Sequence, residues 1–343
     1  MDLIKPGHLK KGDTIGILAP SSGLSAKAPH RLDSAISFLK GEGYTVKVLP
    51  TARASLGYSS ATAEKRADDI NCAFADSNIK AILCTIGGNT ANQTLKFLDF
   101  GLMRRNPKIF CGYSDISVLH YALRTHADIA SFYGPCAVPQ FGEYPKPMDY
   151  TVRYFLKAVS STEPVGEAEP SKSWTDDTPD WLKKEDLKGP RLLKSNKGYE
   201  WLREGSASGP LLGGCLPSIL HLKGTEFWPS HKGAILFLDI PESHDFRKGE
   251  PVSEAAALLT DLELYGTLQE IKGMVVGRPM KYSAAEDMAL KEALLEATGR
   301  YDTPILYGAD IGHTDPMLTL PIGADAKIDS EEGSFIIRES CVS

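Results

Sequence analysis

Through the first part of the chain, short unbroken apolar runs alternate with stretches whose apolar positions recur every three or four residues. Thr14-Ile-Gly-Ile-Leu-Ala-Pro20 has the pattern of a buried strand and ends in a Pro-Ser-Ser-Gly turn. Arg31 to Lys40 has helical periodicity, Tyr44 to Leu49 reads as a strand, and a polar helix follows over about Ala61 to Ala75. Lys80 to Ile86 is a second continuous apolar strand, and the turn Gly87-Gly88-Asn89 leads into a helix near Asn92 to Phe97. Lys108-Ile-Phe-Cys-Gly then gives a strand, a glycine, a serine and an amphipathic helix, with another strand around Ala130 to Tyr133. Continuous apolar strands separated by helices predict an α/β fold: a mostly parallel sheet covered by helices on both faces. In such sheets the binding groups gather beyond the C-terminal strand ends. The turns at Ala19-Pro-Ser-Ser, Gly87-Gly88-Asn89 and Tyr113-Ser114 all fall there.

The alternation stops between about Glu163 and Gly205, where Lys, Asp, Pro and Ser dominate and Trp174, Trp181 and Trp201 are embedded. A stretch of that length is a linker or a functional loop. Its tryptophans are expected to pack back onto the body in preference to touching a ligand. Beyond it, Gly213-Gly214 precedes a helix near Leu216 to Leu222, Ala234 to Ile240 is a strand, and Ser253 to Gly266 is a helix. Lys272 to Gly277 is a further strand, and Pro304–Tyr307, Ala324–Ile328 and Ser334–Arg338 make the end strand-rich. The expected division is an N-terminal α/β domain over 1–162, a linker over 163–206, and a smaller β-rich domain over 207–343.

Composition narrows the function more than the fold. The 343 residues are 42% hydrophobic and 24% charged, with a formal net charge of −6, so nothing favours nucleic acid or an anionic membrane as partner. No run approaches the roughly 20 apolar residues of a membrane span, and Met-Asp-Leu-Ile-Lys-Pro-Gly lacks the basic and apolar regions of a signal peptide. A cytoplasmic location follows as the expectation. The six cysteines have no CxxC spacing and read as reduced thiols, and the eight histidines show no HxH or HxxxH pair, so no metal site is indicated. GxGxxG and GxxxxGK[ST] are absent, which leaves no sign of a dinucleotide or P-loop site.

The chemistry centres on Tyr113-Ser114-Asp115. A serine at a tight strand-to-helix turn has an exposed hydroxyl with helix amides beside it to stabilise an oxyanion. The plainer alternative is a helix N-cap, since Ser and Asp favour that position. A serine nucleophile needs a base and an acid to orient it. His313, in Gly308-Ala-Asp-Ile-Gly-His-Thr-Asp-Pro316, is the candidate base, set in a turn after an apolar strand. For the acid there are two candidates: Asp239 at the end of Ile235-Leu-Phe-Leu, and Glu242 three residues later across Pro241. Cysteine chemistry through Cys111 or Cys136 is the lesser alternative, since neither has a basic neighbour in sequence.

Seven blocks in order resemble the serine peptidase family that contains the LD-carboxypeptidases and the microcin C self-immunity peptidase. They are Lys11-Gly-Asp-Thr-Ile-Gly-Ile-Leu-Ala-Pro-Ser21, Thr85-Ile-Gly-Gly-Asn89, Gly112-Tyr-Ser-Asp-Ile116, Phe132-Tyr-Gly-Pro135, Leu211-Leu-Gly-Gly-Cys-Leu216, Ile235-Leu-Phe-Leu-Asp239 and Gly312-His-Thr-Asp-Pro-Met-Leu-Thr-Leu-Pro-Ile-Gly323. The resemblance implies an N-terminal α/β domain, a smaller β-rich domain, a cleft between them, and a homodimer. It also implies amide hydrolysis without metal or organic cofactor by a Ser-His-Glu triad. Carried over by motif, Ser114 is the nucleophile and His313 the base. The backbone amides of Gly88 and Asp115 form the oxyanion hole, and Asn89 and Tyr113 are substrate contacts. The departure is at the acid, where the family's glutamate corresponds to Asp239, one methylene shorter. Asp239 then reaches His313 by a local shift, or Glu242 replaces it, or the triad is degraded.

The substrate implied is a small peptide or an aminoacyl-nucleotide-like amide. Thr85-Ile-Gly-Gly-Asn-Thr90 lacks the arginine and glycine-tyrosine-glycine run associated with the murein branch, and the Trp-bearing loop suits stacking on an aromatic base. Both lean toward the self-immunity branch. The alternatives are a murein tetrapeptide LD-carboxypeptidase, a biosynthetic tailoring enzyme, and a small-molecule binder that has lost turnover.

Overall fold

The computed structural model describes residues 3–343. The first strands are β1 (Thr14–Leu18), β2 (Thr45–Val48), β3 (Ile79–Cys84), β4 (Ile109–Gly112) and β5 (Ser131–Tyr133). The middle of the chain adds the short β6 (Gly166–Glu167), β7 (Ser173–Trp174), β8 (Lys194–Ser195) and β9 (Glu200–Arg203). Then come β10 (Ser206–Cys215), β11 (Ile235–Asp239), β12 (Gly273–Gly277), β13 (Ile305–Ala309), β14 (Leu320–Ile322), β15 (Asp325–Asp329) and β16 (Ser334–Ile337).

Two sheets hold the chain together. The first has the order β14-β5-β4-β3-β1-β2, and all its pairings are parallel except β14 with β5. Its central strands, β4 and β3, are buried except at Lys80 near the start of β3, as their apolar runs require. The second sheet has the order β6-β16-β15-β10-β11-β12-β13-β9, with a parallel centre over β10 to β13 and antiparallel flanks. The architecture is the expected one: a parallel-rich N-terminal α/β sheet and a separate β-rich C-terminal part. The stretch 163–206 contributes β6 and β9 to the two edges of the second sheet, and its β7 and β8 pair with each other.

Three local differences from the periodicity have physical causes. The segment expected as a helix near Asn92 to Phe97 is a 3-10 helix over Ala91–Phe97, tightened by its attachment at Thr90 and Ala91 to Asp115. After Ser114 the chain makes one 3-10 turn, Ser114–Ile116, before the α-helix Ser117–Ala122 begins. Two of the longer helices were not expected at all. Asp149–Ser160 buries Thr151, Tyr154, Phe155 and Ala158, an i, i+3, i+4, i+7 stripe, and Ala284–Ala297 starts on a capping box of Ser283 and Glu286.

One crossing sets up the site. After β13 the chain leaves the second sheet, passes through His313, and adds β14 to the edge of the first. The 310–319 segment therefore bridges the two bodies at the C-terminal ends of β4 and β11. On the other side of that junction the Cys215 N–H donates to Ser117 Oγ at 3.0 Å, and Ser117 Oγ donates to the Ser114 carbonyl at 2.6 Å. The two sheets thus meet directly beneath Ser114.

Candidate active site

Ser114 follows β4 and has a φ of +64°, the left-handed region that a non-glycine residue enters at a cost of about 1–3 kcal/mol. Its neighbour across the site must be small. A Cβ on Gly87 would lie 2.6 Å from Ser114 Cβ and 2.8 Å from its Oγ. Beneath the turn, buried His120 spans from the Gly112 carbonyl (2.9 Å) to Ser131 Oγ (2.9 Å), and burial lowers its pKa to about 4. It is a neutral strut for the strand end.

His313 Nε2 lies 3.0 Å from Ser114 Oγ, and Nδ1 lies 2.7 Å from Asp239 Oδ2. The second contact falls off the line of the ring N–H. Asp239 is fully buried at the end of β11. Its other oxygen accepts the His313 backbone N–H at 3.2 Å, and Tyr133 Oη donates to Oδ2 at 2.6 Å. Gly312, at φ +90°, leaves room for this carboxylate, because any Cβ there would overlap it. Burial works against a charged His313. The carboxylate of Asp239 above all, then those of Glu242 and Asp315, outweigh it and raise the imidazole pKa from 6.5 to about 9.

The other expected residues are placed as follows. Glu242 Oε2 is 3.8 Å from Nε2, on the nitrogen that faces Ser114 and away from the orienting side. The Asp115 carboxylate is buried and used structurally. Its Oδ2 accepts from the Thr90 and Ala91 amides (2.7 and 2.8 Å) and from Ser21 Oγ (2.5 Å), tying the three sheet-edge turns together. Gly88, at φ +150°, packs against Ser21 and Ser22 beside this knot. Tyr113 is buried with its ring edge-on to His313, centroids 5.0 Å apart. Asn89 is exposed.

Several residues were not singled out by the sequence. Tyr133 donates to Asp239 and accepts the Ser114 N–H at 3.3 Å; its only signal was the Phe-Tyr-Gly-Pro block at a strand end. Arg191 reaches in from the long loop to pair with Asp315 (2.8 Å) and Glu143 (2.9 Å). The tryptophans of that loop pack as expected: Trp181 under Arg31 at 4.5 Å, and Trp174 between Lys194 and Arg278 at 4.5 and 4.6 Å. Cys215 lies beside Asp239 and His313, with ligand atoms within 4.8 Å of one another. Burial pushes its thiol well above the usual range, so it remains protonated and a poor metal ligand.

Residues 15–134 match the LD-carboxypeptidase N-terminal domain and residues 208–328 the LD-carboxypeptidase C-terminal domain. A putative carboxypeptidase of Bacillus subtilis is 32% identical, over 95% of this chain and 96% of its own. The chain belongs to the LD-carboxypeptidase family. The microcin C7 self-immunity protein of Escherichia coli is another relative of this LD-carboxypeptidase family member, 29% identical over 98% of this chain and 96% of its own. The solved structure of the microcin C7 self-immunity protein in complex with glutamyl sulfamoyl guanosine superposes with a TM-score of 0.90, at 28% identity and 99% coverage of both chains. Membership makes the protein a hydrolase of the peptidase class. No helix among the described residues is long and apolar enough to cross a membrane.

Proposed function

We propose that the protein is a serine hydrolase that cleaves an amide bond in a small peptide or aminoacyl-nucleotide-like substrate through an acyl-serine intermediate. The observation that carries this is the line from Ser114 Oγ to His313 Nε2 at 3.0 Å, with the buried Asp239 carboxylate 2.7 Å behind the ring. Ser114 Oγ attacks the carbonyl carbon as its proton passes to Nε2. The same nitrogen returns the proton to the leaving amine, and water then repeats the sequence on the ester. Asp239 holds the imidazole with its other proton on Nδ1 and stabilises the imidazolium that forms.

The Ser114 N–H is taken by Tyr133 Oη, so it is not free to serve the oxyanion. We assign that task to the amides of Asp115, the next residue, and of Gly88. Removing one such donor typically costs on the order of 3 kcal/mol of transition-state stabilisation. Tyr113 and Asn89 are the flanking substrate contacts in this reading.

The aminoacyl-nucleotide class is favoured by the relative whose solved structure holds glutamyl sulfamoyl guanosine. The family's name supports the second reading, a murein tetrapeptide carboxypeptidase. Incubation with aspartyl sulfamoyl adenosine and with a tetrapeptide ending in D-alanine separates the two by mass spectrometry. Cleavage of neither by active, folded protein overturns both. The reading also carries a cytosolic location, which the six free cysteines support, and a homodimer, which light scattering on a sizing column tests.

A further inference from the structure

Glu242 sits on the reacting side of His313. Its Oε2 is 3.8 Å from Nε2, the nitrogen that faces Ser114 Oγ, and it is held there by construction. The loop from Pro241 is closed on itself: the Ser243 amide donates to the Lys248 carbonyl at 2.9 Å and the Glu250 amide to the Pro241 carbonyl at 3.1 Å. Where that loop leaves β11, the Met280 amide donates to the Ile240 carbonyl at 3.2 Å. The Glu242 side chain is 27% exposed, so it borders the opening without being sealed in.

Among the described residues, no lysine or arginine forms an ion pair with it. Three arginines are engaged elsewhere: Arg247 with Asp245, Arg191 with Glu143 and Asp315, and Arg278 with Asp310. Among the described residues His313 is the group that forms an ion pair with it, and His313 must be neutral to accept the serine proton. Before attack, while His313 is neutral, Glu242 therefore has no cationic partner at the ring nitrogen that faces Ser114 Oγ. A partly buried carboxylate in that position rewards a positive charge on the substrate.

We propose that Glu242 is a specificity-determining residue that binds a free ammonium group on the acyl residue of the substrate, next to the carbonyl that Ser114 attacks. This rests on the serine hydrolase reading above. The leaving side does not offer the cation, since the carboxylate of a terminal amino acid and the phosphoryl or sulfamoyl group of a nucleotide analogue are anionic or polar. On an aminoacyl-nucleotide amide the acyl residue's α-amino group is free and positively charged, whereas in a murein tetrapeptide it is bound in the preceding amide, so the proposal concerns the aminoacyl-nucleotide class. The inference predicts that acylating this amine spoils the substrate even though the scissile bond is untouched.

The test separates recognition from turnover. Titration calorimetry on Ser114→Ala reads the affinities of aspartyl sulfamoyl adenosine and its N-acetyl form, and the pair is repeated on Ser114→Ala/Glu242→Gln. The free amine should bind about 10- to 100-fold more tightly to Ser114→Ala, as a charge-assisted hydrogen bond allows. That preference should fall to within about threefold in the double variant, and Glu242→Asp should retain part of it. In kinetics, kcat/KM of wild type should show the same preference and Glu242→Gln should lose it. A ratio near one on Ser114→Ala marks Glu242 as a merely solvated carboxylate and overturns the inference. A preference that survives Glu242→Gln, or no binding of either ligand, also overturns it. Binding with the expected ratio but no hydrolysis by wild type instead overturns the hydrolase reading and leaves the recognition role standing.

Discussion

Replacing Asp239 by asparagine keeps the shape of the side chain and removes its charge, so the effect on His313 is worked from the structure. The rise of the imidazole pKa from 6.5 to about 9 corresponds to about 3 kcal/mol in favour of the imidazolium, and Asp239 is the largest favourable contributor. A base of that pKa is neutral only at alkaline pH, so kcat/KM of wild type should rise with pH along a limb centred near 9. In Asp239→Asn the limb should move to lower pH, while Glu242 and Asp315 keep part of the rise. The plateau should fall by about 1,000- to 10,000-fold, because an amide no longer fixes the tautomer or stabilises the imidazolium. Asparagine can still accept from Tyr133 Oη, and a thermal melt checks that the fold persists. The assay is kcat/KM of a cleaved amide substrate from pH 6 to 10. A variant within about tenfold of wild type with an unmoved limb would refute the assignment of Asp239 to His313.

Other consequences are more local. Gly312→Ala should lose activity and about 2 kcal/mol or more of stability, since φ +90° is unfavourable for alanine and its Cβ would overlap the Asp239 carboxylate; near-wild-type denaturant titration and activity would contradict this. Arg191→Ala removes the cation that Asp315 and Glu143 share, leaving Glu143 with Arg31 at 3.4 Å and Asp315 with no ion-pair partner among the described residues, for an expected loss of about 3 kcal/mol and faster protease cutting within 176–196. Urea unfolding and limited proteolysis read both effects, and no change in either would show that the loop is not latched there. His120 and His231 each have a pKa lowered to about 4 by burial. Their contribution is complete above about pH 6.5 and lost as pH falls toward 4, about 3 kcal/mol each. His313 has the opposite sign: its contribution is complete below 6.5 and lost as pH rises through about 9. A chemical denaturation series should show acid destabilisation that His120→Gln reduces; an equal acid slope in the variant would contradict the neutral-strut role.

The sheets were legible because their central strands are buried on both faces and carry continuous apolar runs, as in Ala81–Cys84 and Ile235–Leu238. Helix Asp149–Ser160 carries a readable stripe, and Ala284–Ala297 a readable cap at Ser283. The candidate site was legible as parts. Ser114 stood out by its turn and His313 by its glycine- and proline-marked loop. Their meeting depends on the 310–319 crossing between two sheets, a long-range fact that no local pattern encodes. The position of Glu242 is similar. Sequence spacing left it as a substitute for Asp239, whereas the chain direction after Pro241 carries it past the orienting side of the ring to Nε2. Tyr133 and Arg191 were invisible as site residues because their roles rest on partners 106 and 124 residues away, Asp239 and Asp315.

The central claim is that Ser114 forms the acyl-enzyme. The most direct measurement is to incubate wild type and Ser114→Ala with aspartyl sulfamoyl adenosine and with a murein tetrapeptide ending in D-alanine, and to follow products and protein mass by mass spectrometry. The account predicts cleavage of at least one substrate by wild type alone, with an acyl adduct on the peptide containing Ser114. Equal cleavage by both proteins, or an adduct on any other residue, would contradict it.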